Sequence, residues 1–389
     1  MAEKEYKANS MLRIVAAQFL EHRFAVLGLA TIIFIVLMAL FAPVIGNLLG
    51  VDPSSQSIFN RYKPTMTVLE KSQGEREELV EQFIARNEAR ADEVIAMFRE
   101  AGLAGPNVSD MDVLFEVMDM AGDDAAVIEQ LRGLKDSRVN AYIDVLDGFT
   151  TMHYLGTDEL GRDVLMRLIY GARVSISIGL LVAVISALIG LLIGSLAGYY
   201  GGFLDSALMR VTDSLLSLPL IPVLILFAAA DIKQIPLLGL LIRGENESIA
   251  KMVVVLCIFS WMTAARLVRA SILSVKEKEF VFAARTLGAD DFRIIVRHIT
   301  PNILAPLLVA VTLNVGRSIL FEAALSFLGL GVQPPTPTWG NMLYNAQELI
   351  HEAPLLAIFS GTLIFITVIC FNFVGDGLQD AIDPKAIRR

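Results

Sequence analysis

From Glu279 to Pro301 the chain reads EFVFAARTLGADDFRIIVRHITP. This charged, helix-forming stretch lies between two apolar runs, Ile249–Leu267 and Ile303–Phe321, each about long enough to cross a bilayer. A polar segment held between two membrane spans is presented to water on one side, where something outside the membrane can grip it. Four more windows with few or no charges extend the pattern outward: Phe24–Ile45, Val174–Gly198, Val211–Ala230 and Ala353–Val374. The fold class expected is an all-α membrane protein with six transmembrane helices. Composition agrees, at 55% hydrophobic against 19% charged with a mean hydropathy of +0.60.

The first apolar run follows a polar leader and ends without a small-residue cleavage site, so it reads as a retained span rather than a signal peptide. Cys257 and Cys370 fall inside spans and are expected to pack rather than to pair. Basic residues gather in the leader (Lys4, Lys7, Arg13, Arg23), after span four (Arg269, Lys276, Lys278, Arg285, Arg293, Arg297) and in the tail (Lys385, Arg388, Arg389). Six spans put all three groups on one side, which the positive-inside rule makes the cytoplasm. The stretch Gly329–Pro354 has neither Lys nor Arg, as befits an outer loop, whereas Arg162, Arg167 and Arg173 run against the rule.

The net charge of −9 is localised, because Pro53–His153 holds 19 acidic and 10 basic side chains while the remainder is balanced. Leu79, Phe83, Val94, Ile95 and Phe98, then Val113, Leu114, Val117 and Met118, then Val127, Ile128, Leu131 and Leu134, then Tyr142, Ile143, Val145 and Leu146 recur at helical spacing. Breaks at Gly102–Pro106, Gly122 and Gly133, with Ser109 and Asp123 as caps, predict three or four short amphipathic helices. The organisation expected is a cytoplasmic leader 1–23, a first span 24–46, an acidic extracytoplasmic helical insert 53–153, a five-span core 155–384 with its cytoplasmic loop 276–301, and a cytoplasmic tail 385–389.

Catalytic constellations are absent from the sequence. The four histidines, His22, His153, His298 and His351, show no metal-ligand spacing, and no GxSxG occurs. Asp119, Asp123, Asp124 and Glu129 lack the glycine and spacing of a calcium loop and read as a solvated helix end. None of the 28 glycines precedes a lysine, so no phosphate-cradling GxxxxGK[ST] loop exists. If the protein uses ATP and magnesium, another chain binds them; this chain is expected to be no enzyme, to hold no cofactor or metal and to bind no nucleic acid.

Several residues have both a structural and a functional reading. Gly190, Gly194 and Gly198 make a smooth strip, for packing within the subunit or against another. Pro219 and Pro222 are expected to kink span three, either as ordinary helix breaks or beside a pathway. Glu322, at the outer end of span five, is either a pathway or gate carboxylate or a group fixing the LSFLGLG turn that follows. Arg210, Asp213 and Arg317 read as snorkelling or paired anchors. Within 279–301, Phe280 and Phe282 are exposed aromatic anchors, Ala283 and Ala284 a close-approach face and Gly288 a turn, with a second helix ending at Pro301. A lipid-lying amphipathic helix explains the same composition equally well.

The register of Ala283, Ala284, Gly288 and Pro301 resembles the coupling loop of the membrane-spanning permeases of binding-protein-dependent ABC importers, EAA, three residues, Gly, nine residues, I-x-L-P. Phe282 stands where that pattern has glutamate and Thr300 where it has leucine; Glu279 lies one helical turn before the missing carboxylate. LGTDELGRDVLMRLIYGARVSISIGL at Leu155–Leu180, LSFLGLGVQPPTPTWGNML at Leu325–Leu343 and FNFVGDGLQDAIDP at Phe371–Pro384 are similar to the dipeptide/oligopeptide subfamily, its C-type subunit. The acidic insert departs from that pattern.

The resemblance implies a type I importer-like core in a bacterial inner membrane, forming half of a pathway with a B-type permease. It further implies two ATPase subunits and an extracytoplasmic solute-binding protein as partners. ATPase coupling would then run through Glu279, Phe280, Phe282, Ala283, Ala284, Arg285, Gly288 and Pro301. Gly156, Thr157, Asp158 and Glu159, in the segment Gly156–Asp163, either receive the docked binding protein or serve equally to turn the chain into span two. Di- or oligopeptides are the solute class implied; nickel chelates, glutathione and antibiotic peptides are alternatives carried by relatives. A channel or secondary transporter, and an anchored insert acting by itself, are the competing classes.

Overall fold

The computed structural model describes residues 11–53, 55–56, 60–71, 73–86, 88–103, 108–123, 125–133, 136–147, 150–230, 242, 246–348, 350–351 and 353–382. Lys4, Lys7, Lys385, Arg388 and Arg389, with Asp124 and Leu134, lie outside them. The chain divides into two compact units, residues 1–42 with 167–389, and residues 43–166.

The first unit is helical. Among the described residues five helices are long and apolar enough to span a membrane: Arg23–Leu40, Val164–Tyr200, Glu247–Val275, Asp291–Phe327 and Pro354–Ile382. They are spans one, two, four, five and six. The expected single helix Val211–Ala230 is instead a broken pair, Gly202–Leu216 and Leu220–Ala229, bent by 86° and together making span three. Pro219 causes the break, since its ring holds the preceding residue away from helical geometry and it sits as the N-cap of the second piece. Pro222 does not kink the chain: it lies in the first turn, where a missing N–H is no loss.

Glycines set how closely these helices approach. A methyl group on Gly190 would stand 2.6 Å from Ala264 Cβ, on Gly194 2.5 Å from Ala265 O, and on Gly198 3.0 Å from Arg269 O. The strip therefore seats span two directly on span four, the packing reading within this subunit. Gly28 meets Cys370 and Gly377 meets Ala25, so spans one and six run antiparallel in the same close manner. Ion pairs join the first piece of span three to span four. Arg269 Nη2 lies 2.6 Å from Asp205 Oδ2, and Arg266 Nε 3.0 Å from Asp213 Oδ1, as expected of a paired Asp213.

After span five the chain turns back into the unit and forms a further helix, Trp339–Glu348. Trp339 is wholly buried, its indole N–H donating to Leu168 O at 3.0 Å. Asn341 ties the turn by donating to Val332 O at 3.2 Å and Thr336 O at 2.8 Å.

The second unit has five helices between 73 and 147: Gln73–Arg86, Glu88–Glu100, Asp110–Asp123, Ala125–Gly133 and Ser137–Asp147. Gln73–Arg86 and Glu88–Glu100 stand where one helix is expected, and Gly122 lies inside a helix rather than between two. Val80, Phe83, Val94, Phe98, Val113, Leu114, Leu131, Val139 and Tyr142 form its core. Ser109 Oγ accepts from Asp112 N, the expected cap. The unit also holds strands that an all-helical reading does not foresee. β1, Thr67–Glu70, pairs antiparallel with β2, Thr150–His153, placing Thr67 opposite His153. Four-residue strands of mixed exposure carry too little alternation to announce themselves.

Candidate functional site

The Glu279–Thr286 helix starts at Lys278 with Glu279 in its first turn and Arg285 in its last, the charge order that suits the helix dipole. It stops by geometry. Ala289 N–H donates to Ala284 O and Gly288 N–H to Arg285 O, a Schellman closure that needs the left-handed φ of +82° at Gly288. Asp290 then caps the next turn, accepting from Arg293 N at 3.2 Å.

That second segment does not end at Pro301. Ile294–Ile299 is a π-helical turn, and the helix continues from Asp291 through Pro301 to Phe327. Thr300 N–H reaches back five residues to Ile295 O, and the extra residue lets the chain pass a proline that has no N–H to give. The loop is thereby joined to span five by unbroken helical backbone.

One face of this hairpin is anchored and the other is bare. Val281, Ala284, Ile294 and Ile299 are buried together with Val268, Ile272 and Val275 of span four. Outward stand four large apolar side chains, Phe280 at 38%, Phe282 at 49%, Phe292 at 74% and Leu287 at 88% exposure. Of the two expected close-approach alanines, Ala284 faces inward and Ala283 outward. Glu279 is exposed, one helical turn before Phe282.

The hairpin is also braced to span two, chiefly through Tyr199 and Asp291, two residues the sequence reading does not single out. Tyr199 O–H donates to Asp291 Oδ1 at 2.6 Å, and Arg285 Nη2 donates to Tyr199 Oη at 3.3 Å. The hydrogen bond to Tyr199, with Asp291 and Glu277 nearby, raises the Arg285 pKa further above its ordinary high value. Lys276 Nζ donates to Gly198 O at 3.0 Å, capping the end of span two. The one available signal is the Tyr-Tyr pair closing an apolar run, an interfacial aromatic placement.

Glu322 is wholly buried. Its Oε1 accepts from Ser326 Oγ at 2.8 Å and its Oε2 from Ser175 Oγ at 3.3 Å, while the same Ser175 oxygen accepts from Trp339 N–H at 3.3 Å. Glu322 thus ties span two, span five and the start of the Trp339 helix together. Pro219 and Pro222 lie at the break of span three.

The candidate docking residues turn inward. Gly156, Thr157 and Asp158 are buried, and Glu159 is half-buried. Gly156 has φ +78°, and a methyl there would stand 2.3 Å from Lys63 O. Thr157 Oγ1 accepts from Lys63 N at 2.9 Å. Asp158 accepts from Arg162 Nε at 2.8 Å and Arg162 Nη2 lies 2.5 Å from Glu159 Oε1, so Arg162 is paired within its own turn. Asp163 caps span two through Met166 N at 2.7 Å and holds His153 Nδ1 at 2.8 Å. Surface contact from this stretch is left to Glu159 and Leu160. Among the described residues no cluster of three or more His, Cys, Asp or Glu is placed to hold a metal ion.

Residues 190–388 match the family "Binding-protein-dependent transport system inner membrane component", and residues 10–64 match "N-terminal TM domain of oligopeptide transport permease C". The chain is 42% identical over 244 residues to the "Glutathione transport system permease protein GsiD" of Shigella flexneri, covering 63% of this chain and 76% of that one. The proteins of that name from Escherichia coli and Shigella boydii match to the same extent. Two structures titled "Inward facing conformations of the MetNI methionine ABC transporter" are 18% and 19% identical, with a TM-score of 0.44. They cover 57% and 56% of this chain and 97% and 98% of theirs.

Proposed function

Since the chain belongs to the inner membrane components of binding-protein-dependent transport systems and is a multi-pass permease subunit of an ABC importer, we propose that residues 279–301 are its contact with an ATPase subunit. The observation that carries this reading is the bare patch of Phe280, Phe282, Leu287 and Phe292 on a hairpin whose other face is locked to spans two and four. Such a hairpin transmits a push, because it can grip outside the membrane without slipping against the core. Phe282, in place of the carboxylate of the family pattern, makes the grip one of aromatic packing.

In this reading two ATPases bind ATP and magnesium below the membrane, and a B-type permease supplies the other half of the pathway. An extracytoplasmic binding protein delivers the solute. Both termini and the 276–301 loop are cytoplasmic, and the 53–153 insert is extracytoplasmic. Nucleotide drives the cycle only if it binds the inward-open and outward-open states with different affinity. The solute is a peptide or a peptide-like thiol such as glutathione, the class named by the relatives.

Affinity purification of the full chain from its native membrane tests the assignment. An ATPase and a second permease in stoichiometric amount are expected, with hydrolysis stimulated by the loaded binding protein. Transport activity in the absence of any ATPase would replace this reading with that of a channel or secondary transporter.

A further inference from the structure

Span five carries a guanidinium within its apolar run Ile303–Phe321. Arg317 lies ten residues before Phe327, about 15 Å from that end of the helix. Its side chain is exposed on this chain, and among the described residues nothing is bonded to it. A charge at that depth is tolerated where it meets water or a counter-charge, not lipid.

Its surroundings are those of a receptor. Arg317 lines a recess of about 130 Å³ between spans two, four and five. Ala183 and Ala187 keep one wall low, and Ser260, Thr263 and Asn314 bring polar groups to the same space. Ser260 gives its proton to Leu256 O at 2.7 Å, leaving its oxygen free to accept. Arginine offers a planar fork of donors that matches a carboxylate on two bonds.

We propose that Arg317, with Asn314 and Thr263 beside it, forms an anion-selective station in the translocation path that receives the carboxylate of a peptide-type solute. The proposal rests on the importer reading above and adds a specificity-determining residue within this chain. A carboxylate of the companion permease is the competing partner for the same guanidinium.

Cysteine labelling in membranes holding the whole importer tests it. In a background with Cys257 and Cys370 replaced by alanine, Asn314→Cys is labelled by an anionic sulfonatoethyl and by a cationic trimethylammonium methanethiosulfonate. With Arg317 present the anionic reagent is expected to be favoured, and Arg317→Gln is expected to lower that preference about tenfold. Trialanine, but not its C-terminal amide, should slow the anionic reaction while Arg317 is present. No labelling from water, or a preference unchanged by Arg317→Gln, overturns the station. Equal protection by trialanine and its amide, or by neither, overturns the carboxylate assignment. Loss of the second permease on purification of Arg317→Gln assigns the guanidinium to the companion subunit and also overturns the proposal. Failure of the wild-type chain to co-purify with an ATPase would instead strike at the importer reading.

Discussion

Tyr199, at the end of span two, donates its phenolic proton to Asp291 at 2.6 Å, joining positions 92 residues apart. Asp291 begins the helix that runs without interruption into span five, so one hydrogen bond fixes the loop to two spans at once. A bond to a charged acceptor contributes roughly 1.5 kcal/mol. Tyr199→Phe should therefore speed amide exchange across 285–299 about tenfold while leaving the spans unaffected. Unchanged exchange would mean that the buried contacts of Val281 and Ile294 hold the hairpin alone.

Gly194 is the tightest point between spans two and four, with Ala265 O and Val268 on the far side of any added carbon. Overpacking such a contact costs about 1–3 kcal/mol. Gly194→Val is expected to lower the unfolding temperature in detergent by several degrees. Gly361→Ala in span six, where nothing stands within 4 Å of the added carbon, should not. Equal effects would show that helix propensity, not close approach, decides.

Glu322 differs from a pathway carboxylate in what its removal should do. Glu322→Gln retains groups that can bond Ser175 and Ser326, whereas Glu322→Ala leaves both hydroxyls facing a cavity. The alanine variant is expected to cost about 2–4 kcal/mol and the glutamine variant under half of that. Assembly and thermal stability report the difference. A glutamine variant that is stable yet inactive in transport would restore the gate role.

In the insert, burial raises the pKa of the Tyr142 phenol above its ordinary value, with Asp119 adding to the shift. The unfolded phenol ionises near pH 10 and the folded one stays protonated. The stabilisation is therefore complete below about pH 10 and is lost as pH climbs beyond it. Lys71 runs the other way, since burial lowers its pKa and its charged form is what the fold disfavours, so stability gains as pH rises toward the ordinary lysine value. Tyrosinate absorbance of the full chain checks the first effect. Tyr142→Phe should remove one late-ionising phenol from the alkaline titration and cost about 1 kcal/mol for the lost bond to Leu114 O. An unchanged late amplitude would refute it.

How far the fold is legible depends on whether its cause is local. The glycine strip 190–198, the apolar windows and the insert core around Phe83, Phe98, Leu114 and Tyr142 follow from periodicity and side-chain size, and the helices form where those patterns point. The β1–β2 pair joins residues some 80 positions apart in strands of four, too short for alternation to mark. The π turn at Ile294–Ile299 conforms to a proline that, read locally, ends a helix. Phe280 and Phe282 are readable as exposed aromatics, but Tyr199, Asp291 and Lys276 acquire their contacts only when distant helix ends meet. Gly156–Asp158 read as either a docking surface or a turn into span two, and their burial comes from distant partners the local sequence does not show, Lys63 for Thr157 among them.

The patch on the hairpin supplies the most direct test of coupling, and the structure dictates which residues to change. Reversing the charge of Arg285 along with Phe282→Asp would be ambiguous, because Arg285 faces Tyr199 and Asp291 and its loss would loosen the hairpin itself. Phe282 and Phe292 stand clear of the core, at 49% and 74% exposure, so Phe282→Asp and Phe292→Ser alter the outer face alone. Aromatic anchors at an interface typically carry 2 kcal/mol or more, which is about thirtyfold in affinity. Each variant should therefore remain folded, with wild-type exchange across Val281 and Ile294, yet lose most of its co-purifying ATPase and the stimulation of hydrolysis by the binding protein. Phe282→Glu separates two ways of gripping: if packing does the work it fails like the aspartate, and if the partner's groove still accepts the carboxylate of the family pattern it restores coupling. Wild-type ATPase recovery in both Phe282→Asp and Phe292→Ser would place the contact elsewhere and leave the patch to the lipid surface.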